Sequence, residues 1–194
     1  YLKGAAGQLL LDQMPLRSAV QILTTEEREN GKPVYVADSA NTATSMATGA
    51  ITSTGRISTS AGTDKDFTTI VELAAGAGLR SGIVTTASVT DATAAAFATH
   101  VNFRLCEDPD TMVNIRYKDV PLGDCSNDLK ANGGKGSIAE QLVESPLDVI
   151  LGGGSNHFAP IAEGETVTVI DLARHQGFQV VTNSAQLAST VPDK

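Results

Sequence analysis

The chain is short of positive charge, of cysteine and of long apolar runs, and each shortage closes off a class of function. Fourteen Lys and Arg residues stand against 22 Asp and Glu, giving a formal net charge of −8 and a pI near 4.8. Nucleic-acid binders gather Lys and Arg to displace counterions from phosphates, so this balance argues against a nucleic-acid partner. It argues equally against docking on an anionic membrane surface. No segment reaches the ~18 consecutive apolar residues of a membrane span, and Leu9-Leu10-Leu11 is too brief to count. Tyr1-Leu2-Lys3-Gly4 shows no charged region leading into an apolar stretch, so no signal peptide is legible. Cys106 and Cys125 are the only cysteines, and no second Cys or His pair stands at zinc-ligand spacing. Two readings of them stay open from the residues alone. They are unrelated buried thiols, or one disulfide stapling the polar stretch Glu107–Asp124 in an oxidising compartment.

What is present suits one mixed domain. At 194 residues and 41% apolar, the chain can build one sizeable core. Leu16–Leu23 is rich in strand formers, and Val34-Tyr35-Val36 is a short apolar run. Small residues from Ser39 to Gly49 predict a helix capped by Asp38 or Ser39 and ended by Gly49. Thr68–Ala77 has helical spacing and turns into a strand at Gly82–Thr86. Ala92–Phe103 is a second Ala-rich helix, followed by a helix at Ile138–Val143 and a strand at Val149–Leu151. Ile170–Gln176 (helix) and Phe178–Val181 (strand) complete the pattern. Alternating helices and short apolar strands predict an α/β fold, a largely parallel central sheet with helices on both faces. Neither end carries a boundary signal. We therefore read residues 1–194 as one portion of a single α/β domain, with the N- and C-terminal parts of the parent domain expected elsewhere.

Ligands of such sheets sit at the carboxyl ends of the strands, where two junctions carry chemistry. Asp38-Ser39 opens the first small-residue helix. A serine there meets free backbone N–H groups that favour an anion, although an ordinary helix cap uses the same residues. At Ser88-Val89-Thr90-Asp91-Ala92-Thr93, the Asp91 and Thr93 oxygens have the spacing to share a hard cation, and a cap is again the bland alternative. His100 and Arg104 are four apart and share a face if the helix continues. Arg104 would bring a planar fork suited to two phosphate oxygens. Gly152-Gly153-Gly154 lacks the Lys-Ser/Thr ending of a Walker loop and reads as a turn that lets a loop pass close to the sheet. His157 and His175 stand alone and receive no role.

In succession these segments resemble the alkaline phosphatase family, above all its bacterial periplasmic branch. Val36-Ala37-Asp38-Ser39-Ala40 is similar to the family's nucleophile segment. Thr85 to Ala96, with His100 and Arg104, is similar to its magnesium- and phosphate-binding segment. Gly133 to Leu142 and Asp148 to Gly154 also look like the family, so the resemblance runs in order along nearly the whole chain.

The resemblance implies phosphate monoester hydrolysis through a phosphoserine, at a site of two Zn²⁺ and one Mg²⁺. It makes Ser39 the nucleophile, with its alkoxide held by zinc. Arg104 becomes the phosphate clamp, Asp38 its orienter, and Asp91 and Thr93 the Mg²⁺ ligands. It pairs Cys106 with Cys125, makes a homodimer the expected assembly, and places the protein in the periplasm or outside the cell. His100 is near the site in that family and is not carried over as a ligand.

The chain also departs from the family pattern. An upstream Asp-Gly-Met stretch is missing, and the family's zinc-binding Asp and His residues lie beyond this sequence. The remainder of the same polypeptide is therefore an expected partner. Two rival readings follow: a related hydrolase acting on phosphodiesters or sulfate esters, and a fragment without catalysis of its own.

Overall fold

The computed structural model describes residues 13–16 and 18–190. Leu9–Leu11, residues 1–4 and part of the Leu16–Leu23 run (residue 17) lie outside the described residues. The fold is α/β, and its elements follow from local chemistry. Helix α1 (Ser39–Thr48) starts at Asp38, whose carboxylate accepts the Asn41 N–H while the Asn41 side chain accepts the Asp38 N–H. This reciprocal box satisfies donors that a helix start otherwise leaves open. Gly49 ends the helix in the left-handed region at φ +75°, where a Cβ would be strained. Capping boxes likewise open α2 (Ile70–Gly76) at Thr69 and α4 (Ile138–Glu144) at Ser137.

Two parallel strands, β3 (Gly82–Ser88) and β6 (Val149–Gly153), form the centre, with Ile83 opposite Ile150 and Val84 opposite Leu151. The connection between them carries α3 (Ala92–Ala95), the hairpin of β4 (Ile115–Tyr117) and β5 (Val120–Gly123), and then α4. Strands β1 (Thr24–Thr25) and β2 (Pro33–Val34) make a separate antiparallel pair. Helices α5 (Val169–His175) and α6 (Ser184–Ser189) follow β6. One apolar cluster joins α1, α2, β3, α3, α4 and α5. Its first half is built from alanines: Ala40 and Ala43 of α1 and Ala92 and Ala95 of α3 are buried, and small side chains let these helices approach closely.

Three sequence expectations are corrected. The Ala92–Phe103 helix ends at Ala95, because Val101 instead exchanges both backbone hydrogen bonds with Ile57 at 3.0 Å. Burial of Val101 and Ile57 favours that bridge over further helix turns. His100 and Arg104 therefore do not share a helix face. Phe178–Val181 forms no strand and lies along a cleft beside β6. Among its described residues Leu16–Leu23 is unpaired, and pairing begins only at Thr24. Strand propensity is expressed only where a partner strand offers hydrogen bonds, and Tyr35, Val36 and Val84 stand more than three-quarters exposed.

The glycine run acts through close approach. A Cβ on Gly154 would lie 1.9 Å from Ser88 Oγ, and one on Gly152 would meet Val89 and Thr85 within 2.8 Å. Gly152 and Gly153 continue β6 instead of forming the expected turn, and the run lets the end of that strand press on the junction after β3.

Cys106 and Cys125 form a disulfide and are buried with Met112 and Ile115 in a second, small core. Closing this loop restricts the unfolded chain, so replacing both cysteines by alanine is expected to cost about 3 kcal/mol. Urea unfolding checks this; a loss below about 1 kcal/mol would assign the loop's stability to the Met112 and Ile115 packing instead.

Candidate active site

The site forms where three backbone segments meet. Asp38 and Ser39 stand at the start of α1, Asp91 at the start of α3, and Arg104 on the segment after the Ile57–Val101 bridge. The Arg104 N–H donates to the Gly55 carbonyl at 2.8 Å, and the Gly55 N–H donates to Asp38 Oδ1 at 3.2 Å. The loop carrying Arg104 is therefore tied through Gly55 to the residue that caps α1.

The guanidinium gathers the predicted residues. Nη1 donates to Ser39 Oγ at 2.6 Å and to Asp38 Oδ2 at 3.3 Å, and Nη2 donates to Asp91 Oδ1 at 2.7 Å. The Arg104 side chain is a quarter exposed, and Asp91 is half exposed. Ser39 is also exposed, so its hydroxyl and the arginine fork face solvent together. Thr93, at the second position of α3, is exposed. The structure thus joins Asp38, Ser39, Asp91 and Arg104 in one hydrogen-bonded group, with Thr93 two residues beyond the Asp91 cap.

His100 is set apart. Its Nδ1 lies 3.1 Å from the Ser58 carbonyl and its Nε2 3.1 Å from Glu72 Oε1, and it is buried. Partial burial opposes ionisation of Glu72, but the Thr69 N–H and His100 outweigh it and hold this carboxyl below its ordinary range.

Sequence reasoning missed what supports the Arg104 segment. Arg56 is buried, and its Nη1 donates to Asn102 Oδ1 at 2.8 Å, two residues before Arg104. The same guanidinium pairs with Glu27 at 2.5 Å and Asp64 at 2.8 Å. Burial works against the Glu27 carboxylate, and bonds from Arg56 and Ser53 more than offset this, so its pKa is lowered. The Asn102 N–H donates to Asp128 at 2.9 Å. Burial, with the Asp64 and Asp66 charges adding to it, pushes Asp128 up to about 6 against the opposing bond from Asn102.

A carboxyl whose folded pKa is raised binds its proton more tightly in the native state. Its penalty is absent below the unfolded value of 3.8, grows as pH rises to about 6, and is then constant. Asp128→Asn keeps the acceptor for Asn102 and is expected to raise the melting temperature at pH 8. That gain should shrink towards zero near pH 4. Melting curves across this range check it, and a gain independent of pH would contradict the burial argument.

Metal donors are only partly present. Asp91 and Thr93 offer a carboxylate and a hydroxyl, the oxygen chemistry that suits Mg²⁺, but two donors of the roughly six it takes. Among the described residues no group of three or more His, Cys, Asp or Glu could hold a metal ion. The described residues thus fit part of a Mg²⁺ site and do not make up a zinc site.

An exposed serine at a helix start beside an arginine fork is an arrangement suited to an anionic group such as phosphate. The alkaline phosphatase family model matches residues 2–194, and the chain belongs to that family. It is 44% identical over 199 residues to a streptomycin-6-phosphate phosphatase of Streptomyces griseus, spanning 100% of this chain and 41% of the relative. It is 37% identical over 193 residues to an alkaline phosphatase of Escherichia coli, spanning 97% of this chain and 39% of that protein. A cold-active alkaline phosphatase from a psychrophilic Shewanella superposes with a TM-score of 0.59 at 28% identity, covering 87% of this chain and 33% of that one. The chain therefore spans about two-fifths of the length of these curated relatives.

Proposed function

We propose that this chain carries the nucleophile and phosphate clamp of a phosphate monoester hydrolase that works through a phosphoserine on Ser39. The observation that carries the reading is the Arg104 fork, which bonds Ser39 Oγ, Asp38 and Asp91 at once. A guanidinium beside the attacking oxygen suits a transferring phosphoryl group, whose charge spreads over its peripheral oxygens. In the reaction Ser39 Oγ forms a bond to phosphorus as the bond to the ester oxygen breaks, and the departing alcohol takes a proton. Water then attacks the phosphoserine, releasing inorganic phosphate and restoring the hydroxyl. Asp38 fixes the guanidinium from one side and Asp91 from the other.

In this reading Asp91 and Thr93 hold one Mg²⁺ and Ser39 meets zinc, with the remaining ligands supplied by the remainder of the polypeptide. When bound, zinc would supply Lewis-acid charge to the phosphoryl transfer. The substrate class is a small-molecule phosphate monoester. The Cys106–Cys125 disulfide supports an oxidising compartment, periplasmic or extracellular. No helix among the described residues is long and apolar enough to cross a membrane. The homodimer rests on the family resemblance alone.

Rates on aryl phosphate monoesters, diesters and sulfates test the assignment. Preference for the monoester by orders of magnitude supports it, and a diester or sulfate preference overturns it. Arg104→Ala is expected to raise the inhibition constant for inorganic phosphate by about tenfold or more, the loss of a charge-assisted bidentate contact. An unchanged constant would remove Arg104 from the clamp.

A further inference from the structure

His157 links two carboxylates behind the site, and nothing in the proposed reaction uses it. Its Nδ1 lies 2.6 Å from Asp108 Oδ2 and its Nε2 3.2 Å from Glu107 Oε2. The ring is 18% exposed and the Asp108 side chain 8%. Each ring nitrogen thus faces a carboxylate oxygen, and the ring bridges Glu107 and Asp108. Glu107 is also the acceptor for the Thr90 hydroxyl. With the single Thr90 proton used there, the Ser88 hydroxyl donates to Thr90 at 2.7 Å.

This chain of bonds connects the segments that carry the clamp. Thr90 precedes Asp91, Glu107 follows Arg104 by three residues, and His157 stands just after the glycine run that presses on Ser88. We infer that His157 is a positioning residue. It holds the Arg104–Asp108 segment against the Thr90–Asp91 junction and so sets the phosphate clamp. Without it, Glu107 and Asp108 lose the ring that bridges them, and the Glu107 contact with Thr90 loses its support. The inference rests on the proposed phosphate-handling role of Arg104.

Calorimetric titration with inorganic phosphate, beside thermal unfolding, tests it on the wild type, Arg104→Ala, His157→Gln and Glu107→Gln. Misplacing the fork is expected to weaken phosphate about tenfold in His157→Gln. Glu107→Gln, which keeps a neutral acceptor, should show a smaller loss. The double variant should lose little more than His157→Gln alone, because both act through one network. A merely structural histidine would lower the melting temperature and leave the affinity of the folded protein unchanged; that result overturns the inference while Arg104→Ala still weakens binding. If His157→Gln does not fold, Glu107→Gln decides on the same criterion. Phosphate binding that is absent in the wild type, or indifferent to Arg104→Ala, overturns the clamp itself and this inference with it.

Discussion

Ser39→Ala is expected to lower turnover of an aryl phosphate by about 10⁴- to 10⁶-fold, the range for losing a nucleophile, with almost no change in stability. The two halves of that expectation have separate causes. Ser39 is exposed, and its side chain neither caps α1 nor fills the core, because the cap is Asp38. Surface substitutions of this kind stay within about 0.5 kcal/mol. The guanidinium keeps Asp38 and Asp91 as partners when the Ser39 hydroxyl is gone, so the clamp should survive and inorganic phosphate should still bind. Steady-state rates with thermal unfolding check the pair of effects. Turnover within a factor of ten of the wild type would remove Ser39 from the nucleophile role.

Arg56→Met is expected to cost about 3 kcal/mol of folding stability, at the low end of the range for breaking a buried ion pair. Its five N–H groups meet Glu27, Asp64, Thr59 and Asn102. Removing the guanidinium leaves the two carboxylates facing each other and takes a donor from Asn102. Glu27 and Asp64 are about half and a third exposed, so water recovers part of the loss, which is why the low end applies. Denaturant unfolding measures the change. Weaker phosphate binding should accompany it, because Asn102 lies on the Arg104 segment. A loss under about 1 kcal/mol would place Arg56 among solvent-screened surface pairs.

The start of the site was legible because it is local. Asp38 and Ser39 are adjacent, and a capping residue followed by small residues signals both a helix start and a serine placed to meet an anion. Asp91 at the head of α3 was legible for the same reason. Arg104 was identified by family resemblance and placed wrongly by periodicity. Alanine-rich sequence continues to Phe97, whereas the chain leaves the helix for a bridge to Ile57, 44 positions away, which no local pattern records. Phe178–Val181 shows the converse, strand formers left without a partner strand. The Arg56–Glu27 pair and the His157 network join residues 29 and 50 positions apart. Neither has a spacing signature, since each side chain is ordinary until the fold brings its partners together.

The most direct measurement is intact-mass spectrometry of the protein, acid-quenched after incubation with inorganic phosphate, followed by peptide mapping. A phosphoryl adduct confined to Ser39, and absent from Ser39→Ala, is the result the phosphoserine account requires. An adduct on another residue, or none under conditions in which phosphate binds at Arg104, would contradict it.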